Sequence, residues 1–213
     1  MLVNEQDLPA PDATSILHPS SRTLFRFWET TRGANAAPRR VDLDLKQIHG
    51  LVPNLLVAER DERSLTYRWR LAGTGICELY QRELTGTGLL DGWDAFETGV
   101  ISRYLDGVVR NLQPCLLRFR LRTDLDQEIG AEMISLPLLA SDGRTIHILG
   151  GLFPFREIWS LAHGRIAGMQ LSAARSIWTE HLPGDHLLPQ GAETADNRPF
   201  RPFQVITGGL GFE

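Results

Sequence analysis

The sequence predicts an α+β domain built on a five-stranded antiparallel sheet, and three observations carry that expectation. Residues 65–71 alternate, with Leu65, Tyr67, Trp69 and Leu71 apolar and Thr66, Arg68 and Arg70 polar, the period of a strand with one face on a core. Apolar stretches of strand length at 55–60, 115–122, 128–139 and 144–155 are joined mostly by short polar turns, such as Asp61-Glu62-Arg63-Ser64 and Ser141-Asp142-Gly143. Such turns suit hairpins rather than parallel crossovers. One long helical segment interrupts the strands from Asp94 to about Leu112, where Phe96, Val100, Tyr104, Val108 and Leu112 recur every fourth residue.

The remaining elements follow in chain order. Pro9, Pro11 and Pro19 mark residues 1–19 as a loose arm. Ser20-Ser21 reads as the N-cap of a helix reaching about Thr31, with Leu24, Phe25, Phe27 and Trp28 as a heavy apolar face and Gly33 as its stop. Asp44 caps a short helix to about His49, and Pro53 bounds it. After the strand at 65–71, Gly73-Thr74-Gly75 breaks the chain into a helical piece, Ile76 to Tyr80. The domain proper is read as 20–155. Beyond it, 156–213 reads as a C-terminal helical segment, Ile158 to about His181, followed by an extended Pro- and Gly-rich tail.

Composition narrows the function. A chain of 213 residues with 42% hydrophobic and 23% charged residues is an ordinary globular one. The net charge of −4 argues against nucleic acid as a partner, which needs a basic footprint. The N-terminus lacks the basic and apolar regions of a signal peptide, and no apolar run nears the roughly 18 residues that cross a bilayer. The expected location is cytoplasmic, without direct membrane insertion. Cys77 and Cys115 form no CxxC or zinc pattern and read as buried thiols. His163, His181 and His186 have no metal-ligand spacing, so no metal site is assigned.

Several segments together resemble a known family. They are the aromatic helix with Phe25, Phe27 and Trp28, the connector Pro38-Arg39-Arg40-Val41-Asp42, Leu51-Val52-Pro53-Asn54-Leu55, Tyr67-Arg68-Trp69-Arg70-Leu71-Ala72-Gly73-Thr74, Leu84-Thr85-Gly86 and Leu136-Pro137-Leu138. Over about residues 20–155 the chain resembles a PAS domain, specifically a bacterial family of stand-alone PAS-like proteins. The resemblance implies a sensory or regulatory role in signal transduction, with a ligand held between sheet and helices or with dimerising and protein-docking surfaces. It implies no common cofactor, and none is assigned.

Two groups of candidate residues emerge. A pocket between the inner sheet face and the helices would be walled by Tyr67, Trp69, Leu71, Phe119 and Leu121, closed by Tyr80, Trp93, Phe96 and Tyr104, with His147 as a polar contact. Tyr and Trp carry polar tips, which would suit an amphipathic small molecule; core packing explains the same residues. The second group is a surface. Arg68, Arg70, Arg118, Arg120 and Arg122 occupy the polar phases of two strands and would line one outer face as a docking site for a protein partner, or as a solvated, salt-bridged face. Phe25 and Trp28 offer an apolar surface for a homodimer.

Catalytic motifs are missing. Glu78 stands where a dinucleotide fingerprint needs its third glycine, and neither a nucleophile elbow nor a zincin helix occurs. The residues around Cys77 lack the flavin photosensor signature. The expectation is a non-enzymatic module without a fused effector. A ligand-free dimeric adaptor is the alternative, and a small cone-type α+β enzyme using His147 with Asp106 or Glu132 is a third reading.

Overall fold

The structure is a computed structural model and describes residues 16–156 and 164–179. Helix α1 spans Pro19–Arg32, and 3-10 turns follow at Arg40–Asp42 and Leu45–Asn54. Strands β1 (Leu55–Asp61) and β2 (Thr66–Ala72) form a hairpin, then come α2 (Thr74–Tyr80) and α3 (Ala95–Asn111). Strands β3 (Cys115–Thr123), β4 (Glu128–Leu139), β5 (Ile146–Pro154) and β6 (Ile166–Ser176) complete one antiparallel sheet, in the order β2-β1-β5-β4-β3-β6.

The sheet therefore has six strands, one more than the sequence predicts. Residues 166–176, read as helical, pair with β3 from Ile166↔Thr123 to Ser176↔Cys115. Ala167, Gly168, Ala173 and Ala174 hide the strand period from the sequence, and an irregularity in the ladder between Arg118 and Phe119 breaks it further. Residues 157–163 and 180–213, and with them the rest of the helical segment, the tail and the three late histidines, lie outside the described residues.

Both sheet faces are covered. On the inner face Leu56, Ala58, Tyr67, Trp69, Leu117, Phe119, Leu121 and Ile148 pack with Ile76 and Leu79 of α2 and Ile101, Leu105 and Val108 of α3. On the outer face α1 lies against Leu116, Ile134, Leu136, Leu138, Leu149 and Phe153 through Leu24, Phe27 and Trp28. Burying a side chain such as Leu24, which is fully inaccessible, contributes about 1.5–3 kcal/mol.

This placement corrects the reading of Trp28 as an interaction surface. Trp28 is fully buried, its Nε1–H donates to the Pro137 carbonyl at 2.8 Å, and Arg32 stacks over its ring at 4.9 Å. Phe25 is half-buried and stacks on Trp28 at 5.9 Å. The aromatic helix has its partner within the chain, because β4 is apolar on both faces.

The start of α1 also differs from the Ser20-Ser21 cap. His18 is the N-cap, its Nδ1 accepting the Ser20 amide at 3.1 Å, and Pro19 takes the first helical position, where its missing N–H is harmless. The fully buried Glu132 carboxylate of β4 then accepts the Leu17 amide at 3.1 Å, the His18 amide at 2.9 Å and Arg118 Nε at 3.0 Å. One carboxylate thus anchors the helix entry to the sheet.

Gly73-Thr74-Gly75 has a packing explanation. Gly73 donates to the Leu55 carbonyl at 2.8 Å, and a Cβ there would run into the Pro53 and Val52 carbonyls. The glycine lets the end of β2 pass under the 3-10 segment.

Candidate functional site: the seam between α2 and β6

Four of the predicted pocket residues form two edge contacts in the inner core. Trp69 on β2 and Tyr80 at the end of α2 make an edge contact at 6.2 Å, and Trp93 and Phe119 make another at 5.2 Å. Trp69 and Phe119 are buried, and Tyr80 and Trp93 are partly exposed. Tyr104 of α3 is half-buried against the same cluster. Leu121 is buried there too.

Above these rings α2 and β6 approach each other. The Tyr80 hydroxyl donates to Met169 Sδ at 3.3 Å, and Gln81 Nε2 donates to the Gly164 carbonyl at 3.1 Å. Burial pushes the Tyr80 phenol up to about 12, so it stays a neutral donor. A thioether is a weak acceptor. Beside this contact lies a cleft of about 570 Å³, lined by Tyr80, Gln81, Arg82, Asp91, Gly92 and residues 165–169. The Tyr80 ring and the charged Arg82, Asp91 and Arg165 in its lining are the kind of groups that hold an amphipathic molecule.

Met169 and Glu97 are site residues that sequence reasoning missed. Glu97, buried at the first turn of α3, accepts the Leu171 amide at 2.7 Å. It thereby pins β6 over the helix. Neither residue carries a sequence signal once 166–176 is read as helix.

The other predicted pocket residues lie elsewhere. Tyr67 is buried in the inner core, but its hydroxyl donates to Asp106 at 2.6 Å, and Asp106 also accepts Arg60 Nε at 3.1 Å. Burial and the Asp106 carboxylate raise the Tyr67 phenol well above its ordinary value. Leu71 is exposed, not inward-facing. The β1–β2 ladder pairs Val57 with Leu71 but Ala58 with Trp69, so Arg70 is an extra residue that turns Leu71 outward and Ala72 inward. Leu65 is also exposed, at a positive φ in the turn. Phe96 is 80% exposed, because α3 buries Glu97, Ile101, Leu105 and Val108 and not the adjacent stripe.

His147 is on the wrong face for the pocket. It shares the phase of Leu149 and Phe153 on the outer side of β5 and stands 3.9 Å from Glu59. Burial and Arg70 lower its pKa. The enzyme dyads are not assembled. Asp106 belongs to the inner face with Tyr67, and Glu132 pairs with Phe153, six residues along β5 from His147, about 20 Å at the rise of a strand.

The arginine face is divided. Arg68 pairs with Asp61 at 3.1 Å and Arg70 with Glu59 at 2.6 Å on the edge strand β2. Arg118, Arg120 and Arg122 lie on β3, with three strands between it and β2. Arg118 pairs with Glu132, whereas Arg120 and Arg122 are exposed and make no ion pair among the described residues. Opposite Leu116 at the start of β3, Arg175 of β6 has Nε and Nη2 buried without a hydrogen-bond partner.

Cys115 is buried and its thiol is pushed up to about 12. Cys77, expected to be buried, is half-exposed, with Sγ 3.8 Å from Glu83. Among the described residues no group of acidic, His and Cys side chains is arranged to hold a metal, and no helix is long and apolar enough to cross a membrane.

A comparison with curated proteins found no match. Among solved structures, one described as "Flavin Analogue Sheds Light on Light-Oxygen-Voltage Domain Mechanism" is similar at 14% identity and a TM-score of 0.39, over 55% of this chain and 88% of that one. A family model for the PAS domain matches residues 16–153, more than half of the chain. The antiparallel sheet with its short and long helices is in keeping with that match. The chain belongs to the PAS domain family.

Proposed function

We propose that this sensory PAS module receives a small amphipathic molecule at the seam between α2 and β6. One observation carries the reading: a cleft lined by Tyr80 and the charged Arg82, Asp91 and Arg165 is closed by the weak Tyr80–Met169 contact, with Trp69 in edge contact with the Tyr80 ring. A ligand that displaces the flexible Met169 side chain reaches the aromatic edges while its polar end stays among Arg82, Asp91 and Arg165. Glu97 ties the middle of β6 to α3, so a ligand that displaces Met169 shifts the strand ahead of that tie, and β6 leads into the C-terminal segment. Signal output then passes to a separate partner in the cytoplasm.

The test is a screen of small aromatic and aliphatic compounds against protein carrying ¹³C-methyl methionine. Saturable shifts of the Met169 methyl, accompanied by the Trp69 and Trp93 indole protons, support the reading. Compounds that move only surface amides and leave Met169 in place contradict it.

A second reading, docking of an acidic protein segment, is favoured by Arg120, Arg122 and Arg175. Two exposed guanidinium groups without ion pairs among the described residues stand on β3, and further along the same pair of strands, opposite Leu116, Arg175 has buried nitrogens that lack acceptors. Arginine forks pair carboxylates bidentately. Pull-down of a partner by the wild type but not by the Arg120→Glu/Arg122→Glu variant tests it, and equal capture by both rejects it.

A further inference from the structure

The outer face holds a second cleft that neither reading uses. It encloses about 450 Å³ and is lined by Arg40, Val57, Glu59, Trp69, Arg70, Leu71, Thr85 and Gly86. Three local features build it. The bulge at Arg70 turns Arg70 and Leu71 out together, so a guanidinium and an apolar side chain share one wall. Residues 86–89 pair along the free edge of β2, with Gly86 N–H on the Trp69 carbonyl at 2.7 Å and Trp69 N–H on the Thr87 carbonyl at 3.0 Å, and they close one side. The Leu139 amide on the Pro38 carbonyl at 2.9 Å holds the 3-10 turn bearing Arg40 against the end of β4.

The polar groups around the cleft are unbalanced. Glu59 is engaged by Arg70 at 2.6 Å, so that pair is neutral as a unit. Arg40 makes no ion pair among the described residues and leaves one uncompensated positive charge. His147, 7% exposed, stands next to Glu59, yet its Nδ1 is buried without a partner and its Nε2, at 3.9 Å from Glu59, is beyond hydrogen-bond reach. A buried imidazole with no partner is costly unless something supplies one. Exposed Leu71 and half-buried Val57 add an apolar wall.

We infer that this cleft binds a small organic carboxylate with an apolar body, its carboxylate on Arg40 and its body against Leu71 and Val57. The bound anion also offsets the desolvation of His147, which faces Glu59 from β1, Arg70 from β2, Arg40 from the 3-10 turn and Asp142 from the β4–β5 turn. Arg40, Leu71 and Val57 of this site are on the opposite face of the sheet from the α2–β6 seam, and Trp69, next to the bulge, is the residue the two sites share.

The experiment is an NMR titration of the full chain with phenylacetate, following the His147 imidazole protons, with neutral phenylacetamide as control. The expected result is a saturable His147 shift with phenylacetate, a rise in the His147 pKa on binding, and affinity at least about tenfold weaker for phenylacetamide and for phenylacetate with Arg40→Gln, as for loss of a charge-assisted bond. Arg40 is exposed, so the variant keeps the fold. Arg40→Lys is expected to recover part of the affinity. An unmoved His147, equal affinity for acid and amide, or an unchanged Arg40→Gln variant overturns the inference. Shifts confined to Met169 and Trp93 overturn it too, by placing the probe in the other cleft.

Discussion

Tyr80 Oη and Met169 Sδ stand 3.3 Å apart across the seam where α2 meets β6, joining two elements 89 residues apart in the chain. The contact is weak in itself, and the Tyr80 ring that makes it is in edge contact with buried Trp69. Replacing Tyr80 with Phe removes the donor and keeps the ring. The expected cost is no more than about 0.5–1.5 kcal/mol, the net worth of one hydrogen bond. Amide hydrogen exchange should quicken in 166–171 and stay unchanged in β4, which would distinguish local opening from global loss of stability.

Trp28 is a core residue, and its substitutions should behave accordingly. Trp28→Phe leaves the Pro137 carbonyl without its donor, for an expected loss of about 1–3 kcal/mol in urea unfolding. Trp28→Glu should unfold the chain, where a dimer contact would have given a folded monomer.

Glu132 is fully buried and serves two backbone amides and Arg118. Glu132→Ala strands a partly buried guanidinium and frees the start of α1. The expected destabilisation is about 3–5 kcal/mol by denaturant midpoint, the cost of breaking a buried pair from one side.

Gly73→Ala should cost more than the usual penalty of a core methyl, because the new Cβ meets backbone carbonyls of Pro53 and Val52 that cannot swing aside. Gly99→Ala in α3 makes a useful control, since no neighbouring atom approaches the Cβ position there and its backbone is helical. A midpoint shift for Gly73→Ala no larger than for this control would contradict the close-packed account.

Acid should destabilise the fold through two histidines. Burial lowers the folded-state pKa of both His18 and His147 below 6.5. In the interval below 6.5 the unfolded chain binds more protons than the folded one, so stability rises with pH there. The contribution is fully present above 6.5 and is lost as pH falls through the lowered values. For His18 the cause is concrete, since protonated Nδ1 cannot accept the Ser20 amide. Urea midpoints at stepped pH should fall below pH 6.5 for the wild type and fall less for His18→Asn, whose side-chain oxygen caps without titrating.

Much of the fold was legible because polar turns and alternation agree. Asp61–Ser64 and Ser141-Asp142-Gly143 end strands where the ladders end. The failures have local causes. One bulge residue, Arg70, reverses the phase of Leu71, and a one-position rotation of α3 exposes Phe96 and buries Glu97. The apolar face of α1 suggested a dimer because the alternation of β4 conceals that both of its faces are core. The aromatic seam was legible as Trp69, Tyr80, Trp93 and Phe119. Met169 was not, since small residues around it mask the strand that carries it.

The most direct test of the central claim is native mass spectrometry of freshly purified protein, the same sample after denaturation, and a Met169→Trp variant that fills the seam. The account predicts an additional small mass on the wild type that is lost on denaturation and missing from the folded variant. Wild-type protein at the bare chain mass, or an adduct carried equally by Met169→Trp, would contradict a ligand held between α2 and β6.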